Sequence, residues 1–283
     1  MTTTHTPAPF VRKIRHWCTL LITMGFLLAM TGCAGPAIDS TTHRAVSHDS
    51  RAQFLILHFT AEDLERSIRI LTQQKVSSHY LITDEPTPRI FRLVDEDRRA
   101  WHAGVSHWAG HSMLNGNSIG IEIVNLGNRK QADGSVQYVP YPPEQVELIV
   151  QLVRDIVQRH QIRPDRVLGH SDIAPQRKVD PGPLFPWKRL ADEGLVLWPD
   201  EDAVKTARVW AEASLPPVLW FQKALARHGF QVAEHGELDE PTRRVIAAFQ
   251  MKYRPARHDG QPDAETAALL GALTGLRHNP KAP

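Results

Sequence analysis

The chain has 283 residues, enough for one sizeable core and a smaller one, and its 42% hydrophobic and 23% charged residues exclude a disordered chain and a polytopic membrane protein. A formal net charge of +2, with no Lys/Arg block interleaved with aromatics after residue 20, gives nucleic-acid binding no support. The two cysteines, Cys18 and Cys33, both precede the body, which therefore has neither a disulfide nor a thiolate metal site; any metal must be held by His and carboxylate.

The chain opens with a basic segment, Arg12, Lys13, Arg15 and His16, followed by the uncharged run CTLLITMGFLLAM from Cys18 to Met30. That is a basic region and an apolar region of export length, short of the roughly 20 apolar residues that span a bilayer. Thr31-Gly32-Cys33-Ala34 follows and resembles a lipobox, with small residues before a cysteine that becomes acylated; Met30 stands where that pattern most often has Leu. Residues 1–32 are thus expected to be a lipoprotein signal peptide and Cys33 the lipidation site. Ala34, which is not Asp, favours the periplasmic face of the outer membrane. Residues 33–52 are small and polar without apolar periodicity, and read as a tether.

The body is expected to begin with a buried strand, Phe54 to Phe59, and a helix starting near Thr60 with Leu64, Ile68 and Leu71 at helical spacing. Further strands are expected at His79 to Ile82 and Ile90 to Val94, on either side of the turn-forming Asp84-Glu85-Pro86. Ser118 to Asn125 alternates, with Ile119, Ile121 and Ile123 on one face and Gly120, Glu122 and Val124 on the other. Pro143 to His160 is an amphipathic helix with its proline at the first turn, and Val167-Leu168-Gly169 leads into His170. Residues 53–197 therefore read as an α/β domain, a mixed β-sheet flanked by helices.

Residues 198–217 carry Pro199, Pro216 and Pro217 and read as a linker with room for one helix. Beyond it Gly236 to Thr242 and Gly260 to Thr266 repeat the pattern Gly-x-x-Asp-x-x-Thr, each Asp placed to cap a helix. With an earlier helix around Trp220, Phe221 and Leu225 that Gly229 would end, residues 218–275 form a small all-α three-helix domain, and 276–283 a tail.

Fifteen histidines leave the choice of metal ligands open on composition alone. By position, His58 inside an apolar strand, His170 closing another and Asp180 in a Pro/Gly loop stand out. Two imidazoles and a carboxylate can hold Zn2+ at three corners and leave the fourth for water. Trp101, His102 and Trp108, with His79 nearer a strand, offer aromatic faces and polar edges for a saccharide-peptide groove, although core packing accounts for Trp101 equally well.

The segments VSSHYLI, AWHAG, NSIGIEIVN and GHSDIAPQRKVDPGPLFPW resemble those of the zinc N-acetylmuramoyl-L-alanine amidases, a family that includes phage amidases and peptidoglycan-recognition proteins. The resemblance implies a zinc enzyme that cleaves the bond between N-acetylmuramic acid and L-alanine, with His58, His170 and Asp180 as ligands of one Zn2+ ion. It further implies Glu122 as the group that takes the proton of the attacking water, and Lys178 as the cation beside the developing oxyanion. Arg177 is expected to be a solvated charge. Asn115 is similar to an asparagine in such proteins and is a substrate-binding candidate; Met113 stands near where some of them have an arginine. The helical region resembles peptidoglycan-binding domains of wall hydrolases. The expected partners are peptidoglycan or muropeptides and, through Cys33, the membrane, with the chain a monomer. The competing readings are an inactive recognition protein of the same fold and a cytoplasmic recycling amidase, against which the ligand set and the export segment respectively argue.

Overall fold

The computed structural model describes residues 1–2 and 35–278; the expected signal peptide and Cys33 lie outside the described residues. Two compact units are distinguished, Met1–Asp49 and Ser50–Pro283. In the first, residues 35–49 carry no helix or strand, and Asp39 Oδ1 accepts the N–H groups of Thr41 and Thr42 in a local turn.

The second unit is built on a five-stranded sheet with strands β1 (Phe54–Phe59), β2 (Tyr80–Ile82), β3 (Ile90–Arg92), β6 (Ser118–Ile123) and β9 (Val167–Gly169), in the order β3-β2-β6-β1-β9. Only the β2–β3 pair is antiparallel; the rest are parallel, as expected of a sheet covered on both faces. Two small hairpins, β4 (His107–Trp108) with β5 (His111–Ser112) and β7 (Asn128–Lys130) with β8 (Val136–Tyr138), lie outside it.

Strand alternation divides the sheet into two differently used faces. Leu55 and Leu57 of β1, Ile119, Ile121 and Ile123 of β6 and Val167 of β9 bury against α2 (Pro143–His160), through Ile149, Val150, Val153 and Ile156. The opposite face carries Phe54, Ile56 and Leu168, and then, at the carboxyl ends of the parallel strands, the polar residues. Part of that face is covered by α1 (Leu64–Gln73), with Leu71 and Ile68 against Leu81 and Val124. Helix α1 starts at Leu64 and not near Thr60, because Asp63 caps it by accepting the Arg66 N–H at 2.8 Å, whereas Ala61 has φ of 57° and breaks the chain direction first.

Two short helices, α3 (His170–Ile173) and α4 (Trp187–Ala191), follow β9, and then four longer ones: α5 (Glu201–Ala213), α6 (Val218–His228), α7 (Glu240–Tyr253) and α8 (Ala264–Thr274). The stretch expected as a linker thus holds α5, capped by Asp200 and packed on α8, where the Trp210 ring lies 2.8 Å from the position a Gly271 Cβ would take. Its buried stripe is Ala207 and Ala211, two small side chains that make a weak apolar pattern in the sequence. The helical region is therefore four helices, and the expected separate domain is not separate: Phe54, Ile56, Trp108 and Leu168 share one core with Phe221, Leu225, Phe230, Val245 and Phe249. Trp108 is buried at this junction, edge-on to Phe230, which corrects its expected place in a groove. The body also begins slightly earlier than expected, since Ser50 Oγ hydrogen-bonds His160 Nδ1 and Ala52 is buried.

The internal repeat is repeated in hydrogen bonds. Gln222 Oε1 accepts from the Gly236 N–H, and its Nε2 donates to Glu237 O and Thr242 Oγ1; Gln250 does the same with Gly260, Gln261 and Thr266. Asp239 and Asp263 cap α7 and α8 as expected, accepting from Thr242 N and Thr266 N. Gln250 is fully buried and holds the loop between these helices.

Replacing Gln250→Ala orphans the buried Gly260 N–H, at about 1–3 kcal/mol for a buried group left unpaired. Because the core is shared, urea unfolding followed by tryptophan fluorescence and by far-ultraviolet circular dichroism should give one coincident transition, shifted to lower urea in the variant. Two separated transitions in the parent protein would contradict the shared core.

Candidate metal centre

The parallel register of β1 and β6 sets His58 directly beside Glu122, and both side chains emerge on the face away from α2. Three strands end together here, so a site at their carboxyl ends is where an open α/β sheet places one. His170 follows immediately after β9 as the first residue of α3, and Asp180 lies on the loop that returns past it. His58, His170 and Asp180 are all buried, and the loop is tied back by Ser171 N–H donating to the Asp180 carbonyl at 2.8 Å.

Three atoms converge: His58 Nδ1 is 2.9 Å from His170 Nδ1 and 3.0 Å from Asp180 Oδ2, and His170 Nδ1 is 3.1 Å from the same oxygen. The partners of the far ring nitrogens fix the tautomers. His170 Nε2 faces the Ala103 carbonyl at 3.1 Å and, at 3.3 Å, the Arg177 guanidinium, which itself donates to that same carbonyl; with the carbonyl as the nearer partner Nε2 carries the proton and Nδ1 presents a lone pair. On the other side Ser118 Oγ donates to the Leu114 carbonyl at 2.6 Å and so accepts from His102 Nε2 at 3.1 Å. His102 Nδ1 is then an acceptor for His58 Nε2–H at 3.0 Å, and His58 Nδ1 likewise presents a lone pair. Two lone pairs and a carboxylate oxygen thus face one another, an arrangement that fits a bound cation. The donor set, two imidazoles and one carboxylate with hydrogen bonds behind the rings, suits a divalent transition metal with an open position.

Charge and burial agree with this. Burial pushes His58 down to about 4, helped by the neighbouring His170, so it is neutral at physiological pH. Glu122 is displaced the other way, well above the usual carboxylate range, first by burial and then by the charge of Asp180, with Lys178 opposing. Its side chain lines the cleft, while its Oε2 is shut from bulk solvent and has no hydrogen-bond partner. Such an oxygen is suited to take and return a proton.

The cleft over these groups is lined by His58, His102, Glu122, His170, Lys178 and Asp180, with Trp101 and the α1 residues Ile70 and Leu71 on its apolar side. The expected ligands and both expected helpers are therefore together. Trp101 is half exposed at the rim, with the Arg99 guanidinium stacked 4.1 Å from its ring centre. The remaining groove candidates lie elsewhere. His79 is fully buried and has structural partners, accepting the Gly120 N–H at Nδ1 and facing the Arg98 carbonyl through Nε2. Asn115 is buried too, its Oδ1 accepting from the backbone N–H of His102 and of Ala103, so it shapes the loop without lining the cleft. Arg177, expected to be a solvated charge, instead donates to the carbonyls of Ala103 and Val105 and pins the segment that carries the His170 acceptor.

Two residues that sequence reasoning passed over belong to the site. Ser118 sets the His102 tautomer, and Gly120 lets the His102 ring lie against the strand: a Cβ there would stand 2.5 Å from His102 Cγ. A glycine inside an alternating strand is the signal that could have found this approach.

Residues 48–183 match the family model described as N-acetylmuramoyl-L-alanine amidase, and residues 214–270 the one described as putative peptidoglycan binding domain. The chain is 41% identical over 261 residues to the N-acetylmuramoyl-L-alanine amidase AmiD of Escherichia coli K12, covering 87% of this chain and 94% of that protein. It is 31% identical over 193 residues to the 1,6-anhydro-N-acetylmuramyl-L-alanine amidase AmpD of Enterobacter cloacae, covering 66% and 87%. Among solved structures it is similar to E. coli AmiD in complex with anhydro-N-acetylmuramic acid-L-Ala-D-gamma-Glu-L-Lys, at TM-score 0.76 and 41% identity over 84% of this chain and 94% of that one. It is similar also to AmpDh3 of Pseudomonas aeruginosa in complex with an anhydromuramic pentapeptide, at TM-score 0.79 and 40% identity over 84% and 98%.

Replacing His102→Phe keeps a ring over Gly120 but removes the acceptor behind His58. Competition with a chromogenic chelator should show Zn2+ affinity reduced by about 10–100-fold, the usual cost of losing such a partner. Unchanged affinity would mean that His102 does not orient His58.

Proposed function

We propose, from the premise that this chain belongs to the N-acetylmuramoyl-L-alanine amidase family, that its hydrolysis of the N-acetylmuramic acid–L-alanine amide runs on a zinc ion held by His58, His170 and Asp180. The observation that carries this is the convergence of two imidazole lone pairs and one carboxylate oxygen beside the unpartnered Glu122 Oε2. Zinc, when bound, supplies a Lewis acid for the scissile carbonyl and makes a water acidic enough to attack near neutral pH. The complete set of ligands and helpers argues against an inactive recognition protein of this fold.

Each side chain has a distinct part in the cleft. Glu122 Oε2 accepts a proton from the attacking water and returns it to the departing L-alanine nitrogen, work suited to a carboxyl whose affinity for protons is raised by burial. Lys178 also lines the cleft, where its ammonium stabilises negative charge developing on the lactyl carbonyl oxygen. Trp101 offers an apolar face at the rim for a sugar ring or stem peptide. His102 serves by holding His58, and not by touching substrate in this reading. The bound anhydromuramyl peptides of the two solved relatives support muropeptides of that kind as substrates here, in cell-wall turnover or recycling.

We further propose that the protein is a lipoprotein, acylated on Cys33 and held at the periplasmic face of the outer membrane. The support is the basic segment, the 13-residue uncharged run from Cys18 to Met30 and the small residues before Cys33. No helix among the described residues is long and apolar enough to cross a membrane. Several acyl chains on one cysteine would add about 0.8 kcal/mol for each buried methylene, which is enough for stable attachment.

Two experiments test these readings. Glu122→Gln, with zinc content unchanged, should lower kcat on a purified anhydromuropeptide by about 10²–10⁴-fold, as expected for a lost proton-transfer group; wild-type turnover would remove Glu122 from that role. Cys33→Ser should abolish incorporation of labelled fatty acid and move the protein from the membrane to the soluble periplasmic fraction. Continued acylation or membrane retention would overturn the anchor.

A further inference from the structure

The short helix α3, which begins with the ligand His170, is a single turn, too short to hold its own shape. What fixes it is Asp172. Its Oδ2 accepts the Gly169 N–H at 2.9 Å and, on its other side, pairs with Lys252 Nζ at 2.9 Å. Both charged side chains are almost completely buried, at 2% and 3% exposure. Lys252 lies on α7, inside the region that matches a peptidoglycan-binding family, 80 residues away in sequence. Its ammonium also donates to the Val167 carbonyl at 3.3 Å and sits 4.3 Å from the centre of the Trp187 ring. Trp187 in turn closes over Gly169, its Cζ2 being 3.2 Å from where a Gly169 Cβ would stand.

We propose that Lys252 is a positioning residue of the metal site: by pairing with Asp172 it holds the turn that presents His170. One cation thus ties the end of β9, the cap of α3 and the ring packed behind them. The same turn carries Ser171, whose N–H holds the Asp180 backbone, so two of the three ligands depend on its position. Metal ligands tolerate misplacement of only about 0.2 Å, which makes a shift too small to unfold the protein large enough to weaken the site. The helical region is on this account part of the catalytic scaffold, whatever it does with the wall. The inference rests on His58, His170 and Asp180 as the metal ligands.

The test uses the full chain with Lys252→Met and, alongside it, the double variant Asp172→Asn with Lys252→Met, which leaves no buried charge unpaired. Zn2+ affinity is measured by chelator competition, kcat and KM on a soluble anhydromuropeptide at saturating zinc, and the unfolding midpoint by urea. Both variants should bind zinc about tenfold or more weakly, with kcat reduced and KM within about twofold of the parent. If the single variant does not fold, the double variant carries the same measurements. Folded variants with parental zinc affinity and kcat, and only a lowered midpoint, would overturn the proposal and reduce the pair to a structural staple. Failure of the parent protein to bind zinc, or its binding zinc undiminished after His58→Ala, would instead overturn the ligand assignment on which it rests.

Discussion

Three acceptor atoms, Nδ1 of His58, Nδ1 of His170 and Oδ2 of Asp180, stand within 2.9 to 3.1 Å of one another, and their outer partners leave no proton to share among them. Such a cluster is repulsive by itself and becomes stable when a cation sits among the three. Much of the surrounding structure follows from keeping it in place. The Ala103 carbonyl must face His170, so the segment through Val105 is pinned by Arg177 and by the Asn115 side chain. His102 must accept from His58, so Ser118 and Leu114 fix its far nitrogen, and Gly120 makes room for its ring.

The sheet makes this affordable by using its two faces for different purposes. Against α2 it buries mainly aliphatic side chains, joined by the Tyr80 ring, whose hydroxyl donates to Glu96 Oε1 at 2.7 Å. The other face starts as core at Phe54 and Ile56 and turns polar within two residues, at His58 and Glu122, just where the parallel strands end. Burial at that end raises the affinity of Glu122 for a proton and lowers that of His58, so neighbouring residues in one register pair are driven to opposite proton occupancies. A one-residue slip of β6 would turn Glu122 into the α2 interface, which is why the Ile119, Ile121, Ile123 stripe matters to chemistry as well as to packing.

How much of this is legible in the sequence depends on the range of the interaction. Strand alternation places Glu122 on the face away from the isoleucines, and helix caps at Asp239 and Asp263 are readable because each involves residues three apart. The ends of α2 are likewise local, a proline at the start and a left-handed Gln161 at the end. Position at apolar runs singles out His58 and His170 among fifteen histidines, but taking them with Asp180 as one set needed the family resemblance, because a histidine in a strand serves core packing as readily. His79 and Asn115 carry the same polar chemistry as groove residues, and only the fold reveals that their hydrogen bonds are spent on backbone groups of Gly120, His102 and Ala103. Helix α5 was half-visible for a different reason: its buried stripe is alanine, which contributes little to an apolar pattern between flanking prolines.

The junction between the α/β body and the helices was the least legible part, and the physics explains why. Trp108 reads as a surface aromatic from its polar neighbours, yet the Gly229 backbone leaves a hollow for it: a Cβ there would meet the indole at 2.6 Å, and Phe230 closes the side. A buried lysine paired to a buried aspartate is a costly choice where an apolar pair would serve packing as well or better. Its presence is accounted for if direction, and not stability alone, is what it supplies. An ion pair with a second hydrogen bond to Gly169 and a ring beneath it constrains orientation in a way that methyl groups sliding past one another do not. Since that orientation is handed to the turn that bears His170 and is hooked to the Asp180 backbone, the helices and the His-His-Asp cluster meet through the same few atoms.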